Sequence, residues 1–123
     1  IEIKKSLNYG RLKSSKKISN IEKYLKLGIF IKEYGICYPK IIVKYDRFYY
    51  KTDKIRITLD KNIKFKKFDP LINNTYFKNS KDLVIPEIKY SSKSHLGQFM
   101  IDLPFEKTRF SKYCIGLENL DLI

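Results

Sequence analysis

The chain is poor in cysteine, histidine, acid and arginine, and each shortage narrows what it can do. Cys37 and Cys114 are the only cysteines in 123 residues, and no CxxC spacing joins them. With His95 as the single histidine, a cysteine-histidine metal site lacks its ligands. The two cysteines are expected to be buried free thiols of a reducing compartment. His95 itself reads as a helix-start residue without catalytic duty. No apolar run approaches the ~20 residues that a membrane helix needs, and nothing resembles a secretory signal. A soluble, cytoplasmic chain is expected, with any membrane or regulatory partner domain lying outside it.

Acid is scarce enough to unbalance the whole chain. Thirteen Asp and Glu face 26 Lys and Arg, for a formal net charge of +13. Such an excess points to an anionic partner: nucleic acid, anionic lipid or a phosphorylated small molecule. Only four of the cations are arginines, Arg11, Arg47, Arg56 and Arg109. A lysine-rich composition of this kind leaves much of the charge as solvated surface, so the arginines carry more information than the lysines.

What remains is enough for a core. Hydrophobic residues make up 43% and aromatics 15%, which supports one modest domain over residues 1–123 and is too little chain for two independent cores. Ile1 stands directly in a strand-like pattern, as though the numbering opened partway through a longer domain.

The opening IEIKK alternates apolar and charged residues with the period of a half-buried strand. NYG reads as a turn and RLKSSKKIS as the returning strand of a hairpin. From Ser19 the pattern changes. SNIEKYLKLGIFIKEYG places Ile21, Tyr24, Leu25, Leu27 and Ile31 on one side of an amphipathic helix, with Ser19 or Asn20 as its cap, an interruption near Gly28 and a stop at Gly35. After Pro39, KIIVKYDRFYY reads as a long strand. Its Phe48, Tyr49 and Tyr50 are expected in the core.

TDK is a turn, and KIRITLD is the clearest strand. Ile55, Ile57 and Leu59 face one way, Lys54, Arg56, Thr58 and Asp60 the other. IKFKKF is a short strand, PLINNTYFKNS a loop, and LVIPEIKY a strand that Pro86 assigns to an edge or bulge. SHLGQFMIDLP and SKYCIGLENL read as short helices. The expected class is therefore α+β, mostly antiparallel, with flanking helices. Cations on one face of several strands would be solvated in a sandwich but would converge in a barrel lumen.

Glu-Ile-Lys occurs twice, at Glu2-Ile3-Lys4 and Glu87-Ile88-Lys89. Each sets a carboxylate and an ammonium on the same face of a strand. Solvated pairing is the ordinary reason for such a pair, but a triphosphate offers another. Phosphate oxygens want fixed cations, while a carboxylate among them can seat Mg²⁺ or Mn²⁺.

YDRFYY, KIRITLDKNI, IPEIKY and LPFEKTRFSKYCIG, in this order and spacing, resemble the VTC domain, and IEIKK with LKSSKKIS resembles an earlier strand pair of it. This is the polyphosphate polymerase domain of vacuolar transporter chaperone proteins and their bacterial relatives, within the triphosphate tunnel metalloenzyme superfamily. The resemblance implies an antiparallel β tunnel of the CYTH-like kind. It implies ATP as substrate, inorganic polyphosphate as product and Mn²⁺ or Mg²⁺ as cofactor, with no nucleic-acid partner.

By position, Arg47 and Arg56 match the family's tunnel arginines and Lys89 its phosphate-binding lysine, the implied catalytic set. Glu87 matches the metal-associated glutamate, with Glu2 a second metal candidate on the earlier strand. Lys4, Lys13, Tyr45, Ser111 and Lys112 match further phosphate-binding or tunnel-wall positions, and Arg109 stands where the family has lysine. Two departures count. Ser15 replaces the arginine of the family's K-x-R pair, and the family's first basic strand and its R-x-R strand have no counterpart here. These residues alone would not close a tunnel, so a module that binds polyphosphate or nucleotide without turnover is the alternative, as is another triphosphate tunnel enzyme. Single-stranded nucleic-acid binding on an aromatic, basic sheet would explain the charge and the tyrosines but not the paired EIK strands.

Overall fold

The computed structural model describes residues 1–8, 10–53, 55–72, 76–80, 82–90 and 108–123. They form two compact units, Ile1–Pro39 and Lys40–Ile123. The expected SHLGQFMIDLP helix, and His95 within it, lie outside the described residues. No described helix is long and apolar enough to cross a membrane.

In the first unit, β1 (Glu2–Leu7) and β2 (Gly10–Ser15) form the expected antiparallel hairpin. Its open end is closed by the backbone: Lys16 N–H donates to the Ile1 carbonyl at 2.8 Å, and the Ile1 amino group donates to the Lys16 carbonyl at 2.7 Å. Helix α1 (Ile21–Leu27) is capped by Asn20, whose side chain accepts from the Lys23 N–H at 3.1 Å.

The helix stops earlier than its apolar periodicity suggests. Gly28 sits at φ 76°, in the left-handed region, and a Cβ there would lie 2.7 Å from Ile36 Cγ2 and 3.0 Å from the Cys37 carbonyl oxygen. Only glycine allows that conformation and that approach. The residues expected to continue the helix instead form a second hairpin, β3 (Ile29–Ile31) with β4 (Gly35–Cys37). The sequence Ile-Phe-Ile is β-branched and aromatic, which suits a strand better than a helix.

The second unit is built on β5 (Ile41–Lys51) and β6 (Ile55–Lys67). Thr52 closes their turn, its N–H donating to the Ile55 carbonyl at 2.8 Å while its Oγ1 accepts from the Ile55 N–H at 3.1 Å. On its other side β6 pairs with β7 (Lys78–Asn79) and, further along, with β8 (Ile85–Tyr90), all antiparallel. β7 falls inside the segment expected to be loop. KIRITLD and IKFKKF, which read as separate strands, are one. They join through a bulge, where Asn62 and Ile63 together oppose Tyr45. Asn62 adopts φ 52°, a region that Asn tolerates better than most residues, and its amide donates to Asp46 at 2.7 Å.

Because directly opposed residues share a face, the bulge keeps Ile41, Val43, Tyr45 and Arg47 on the side of Phe65, Ile63 and Asp60. Helix α2 (Lys112–Asn119), capped by Ser111, packs on β5 and β6. Ile63 and Phe65 are fully buried. Asp60, at 1% exposure, is too, and Thr58 is buried at 4%, though alternation places both on the polar side. Ile55, Ile57 and Leu59 are only half-buried.

Two further expectations are corrected. Phe48, Tyr49 and Tyr50 are exposed rather than core, and both cysteines are free but Cys114 is exposed and Cys37 half-buried. The class is α+β with mostly antiparallel strands. Among the described residues the strands form three separate sheets and no closed barrel.

Candidate functional site

The face of the second unit that carries Phe65 changes character along its length. Toward the bulge it is apolar. Beyond it, successive rungs hold Arg47 opposite Asp60 and Ile85, Tyr49 opposite Thr58 and Glu87, and Lys51 opposite Arg56 and Lys89. Strand alternation therefore gathers Tyr45, Arg47, Arg56, Glu87 and Lys89, all picked out by sequence, onto one strip.

At the inner end of this strip the geometry is tight. Asp60 is 1% exposed. Its Oδ1 accepts from Arg47 Nε at 2.6 Å and its Oδ2 from Arg47 Nη2 at 2.7 Å, a bidentate fork that charge makes strong. Lys112, the first residue of α2, donates to the same Oδ2 at 2.5 Å. The Tyr45 ring lies beneath both cations, 5.1 Å from the Arg47 guanidinium carbon and 4.9 Å from Lys112 Nζ, a further attraction for each. The hydrogen bond from Arg47 holds the Asp60 carboxyl below its ordinary value against burial, with Lys112 adding to it. Asp60 in turn raises the Arg47 guanidinium further above its own.

Asp60 is the residue the sequence reading passed over. Its signal was present in KIRITLD, where one acid shares a strand face with Arg56. Nothing in the sequence, however, aligned β5 and α2 on it. Tyr49, next on the same face of β5, adds a smaller contribution in the same direction to the Arg47 guanidinium.

The outer rungs are open. Glu87 and Lys89 pair at 3.2 Å with about half of each side chain exposed. Arg56 and Lys89 line a cleft with Lys51, Asp53 and Tyr90. Thr58, opposite Glu87, is 4% exposed, and its Oγ1 has no hydrogen-bond partner among the described residues. Arg109 and Ser111 are exposed, and the Ser111 oxygen is used as the cap of α2, accepting from the Cys114 N–H at 3.3 Å.

A divalent metal was expected at Glu87 or Glu2. No group of three metal-ligating side chains occurs among the described residues, so a cage built of protein alone is absent from them. One exposed carboxylate beside an orphaned hydroxyl does fit Mg²⁺ or Mn²⁺ that arrives on phosphates, since such ions keep most of their water and take one or two carboxylates.

The remaining predicted residues, Glu2, Lys4 and Lys13, form a cluster of their own in the first unit. Lys4 opposes Lys13 across the hairpin, and Glu2 reaches Lys13 at 2.7 Å and Lys4 at 3.0 Å. The hydrogen bonds from Lys13 and then Lys4 lower the Glu2 carboxyl from 4.5 to about 2. A carboxyl NMR titration is expected to give a midpoint near that value. Lys13→Gln should raise it toward 4.5, and so should salt, because the group is exposed. A midpoint unmoved by Lys13→Gln would mean that the pair does not form.

A family model described as the VTC domain matches residues 2–121 of the chain. No curated protein and no solved structure matches it.

Proposed function

The chain belongs to the VTC domain family, and from that membership we propose that it is a polyphosphate polymerase module that transfers the γ-phosphoryl group of ATP to the end of a polyphosphate chain. The observation that carries the reading is the strip on one sheet face, where Arg47, Arg56 and Lys89 stand with the exposed carboxylate of Glu87 and where Lys112 of α2 reaches Asp60. The strip would form one wall of a basic tunnel, with Arg109 and Ser111 as further phosphate contacts of the second unit; residues 1–123 would count as one domain, and Lys4 and Lys13 would be phosphate contacts of the first unit.

In the reaction the bond between the γ-phosphorus and its bridging oxygen to ADP breaks, and a bond from that phosphorus to a terminal oxygen of the chain forms. Phosphoryl transfer asks little covalent help of a protein and depends on position and charge. Arg47, held by Asp60, offers fixed N–H donors to the equatorial oxygens. Lys112 closes the same end, while Arg56 and Lys89 hold the phosphates further along. Glu87, with Glu2 as the second candidate, would hold a Mn²⁺ or Mg²⁺ ion that neutralises phosphate charge when bound.

The test is incubation of the full-length protein with ATP and Mn²⁺, with polymer read on a gel. Polymer is expected, and Arg47→Ala should lower its rate by about a hundredfold or more, the usual cost of one fixed charge-stabilising donor. No polymer and no binding of triphosphate would end this reading. Binding of polyphosphate without ATP consumption would select the noncatalytic module instead.

Exposure of Tyr49 beside Arg47 on the strip favours a second reading, a stacking platform for single-stranded nucleic acid. Competition at fixed salt separates the two. Polyphosphate should displace a labelled triphosphate far better than an oligonucleotide of equal charge does.

A further inference from the structure

The outermost rung of the strip sets three cations side by side. Lys51 of β5 lies opposite Arg56 of β6, and Arg56 lies opposite Lys89 of β8. Opposed residues of an antiparallel ladder share a face, with Cβ atoms about 5 Å apart. Like charges so placed repel, and a fold keeps them together at a cost unless an anion offsets it. Inside the protein the offset is small. Glu87 is taken by Lys89, and among the described residues no ion pair joins Lys51 or Arg56 to a carboxylate. The three side chains line one open cleft, where Asp53 of the turn is the single acid.

The same strand carries the other cationic cluster. Arg47 and Lys51 stand on one face of β5, four residues and therefore about 13 Å apart. Between them the strip holds Tyr49, Thr58 and Glu87 and no cation. Two cationic stations spaced along one strand suit a linear polyanion better than a compact one. A ligand that reaches both gains the second contact as an intramolecular step.

We propose that Lys51, with Arg56 and Lys89, forms an outer phosphate subsite that makes the strip selective for long polyphosphate over short phosphates. The subsite rests on the phosphate-binding reading above and adds to it a residue and a length preference. Pyrophosphate occupies one station, whereas a long chain occupies both.

The experiment measures the affinity of the full-length protein for pyrophosphate and for long-chain polyphosphate at one fixed ionic strength, in wild type, Lys51→Gln and Lys44→Gln. Lys44 lies on the opposite face of β5, so its replacement removes the same charge from outside the strip. The expected result for Lys51→Gln is a fall of about tenfold in the ratio of long-chain to pyrophosphate affinity, the size of one charged hydrogen bond, with the ratio for Lys44→Gln unchanged. An unchanged ratio in Lys51→Gln overturns the subsite, as does an equal fall in both variants. Wild type that binds neither ligand overturns the phosphate reading itself, which is a different outcome from either.

Discussion

Replacing Asp60 with alanine is expected to destabilise the second unit by about 3 kcal/mol, the lower end of what breaking a buried ion pair costs, read as a fall in the denaturant midpoint. The carboxylate is 1% exposed, and it satisfies two Arg47 nitrogens and the Lys112 ammonium at once. Its loss leaves two cations facing each other with no counter-ion. The lower end applies because the cations are not fully buried, Arg47 being 26% and Lys112 21% exposed, so water screens part of the repulsion. Against a total stability of about 5–15 kcal/mol this is a large share. Asp60→Asn keeps the shape and some hydrogen bonding, and should cost less while still freeing Arg47 from its bidentate grip.

The same carboxylate fixes a direction for pH. Its folded pKa lies below the ordinary value, so its contribution is complete above the ordinary carboxylate range and is lost as pH falls through the depressed folded value. Wild type should therefore shed stability in acid, and Asp60→Asn should show a flatter acid limb. A variant whose acid limb parallels that of wild type would mean that Asp60 is not the group responsible. Under the proposed phosphoryl-transfer reading, turnover should fall in Asp60→Asn even where the fold survives, because Arg47 and Lys112 then lose the contact that orients them.

The elements easiest to read in the sequence were those whose period is uninterrupted. β5 follows from its β-branched and aromatic residues, the hairpin of the two opening strands from alternation and a turn, and α2 was read as a short helix, though not Ser111 as its cap. The site residues on β6 and β8 followed from the family resemblance, and alternation puts them on one face. Period failed where one residue reset it. Gly28 ends α1 while the apolar spacing runs on, because spacing records burial and not the sign of φ. Asn62 adds a residue to β6, so KIRITLD and IKFKKF looked like two strands when they were one with its phase shifted. Asp60 was illegible for a different reason. An acid on a basic strand reads as solvated until its partners are known, and Arg47 and Lys112 lie 13 and 52 residues away. The burial of Asp60 is a tertiary fact, and so is the exposure of Phe48, Tyr49 and Tyr50.

Gly116 ties the apolar end of the sheet to the charged end, and substituting it should disturb both. A Cβ at this position would sit 2.6 Å from Phe65 Cδ1 and 2.7 Å from Ile41 Cδ1, distances at which something must move. Phe65 is fully buried and cannot swing aside into solvent, so the helix has to give. Alanine would gain about 1 kcal/mol of helix propensity over glycine and lose more than that to overpacking. Valine, with two more methyl groups and a lower propensity, is expected to cost about 3 kcal/mol, the upper end for overpacked cores. Lys112 stands four residues earlier in α2, on the same face as Gly116. Lifting the helix from Phe65 therefore draws the Lys112 ammonium away from Asp60. A double-mutant cycle of Gly116→Val with Lys112→Met should be non-additive by about 0.5 kcal/mol or more, because the first change already weakens the contact that the second removes. Strict additivity would mean that α2 pivots about Lys112 and leaves the charged cluster intact. In that case the core contact of the helix and its charged contact are independent, and Gly116 sets stability without setting the site.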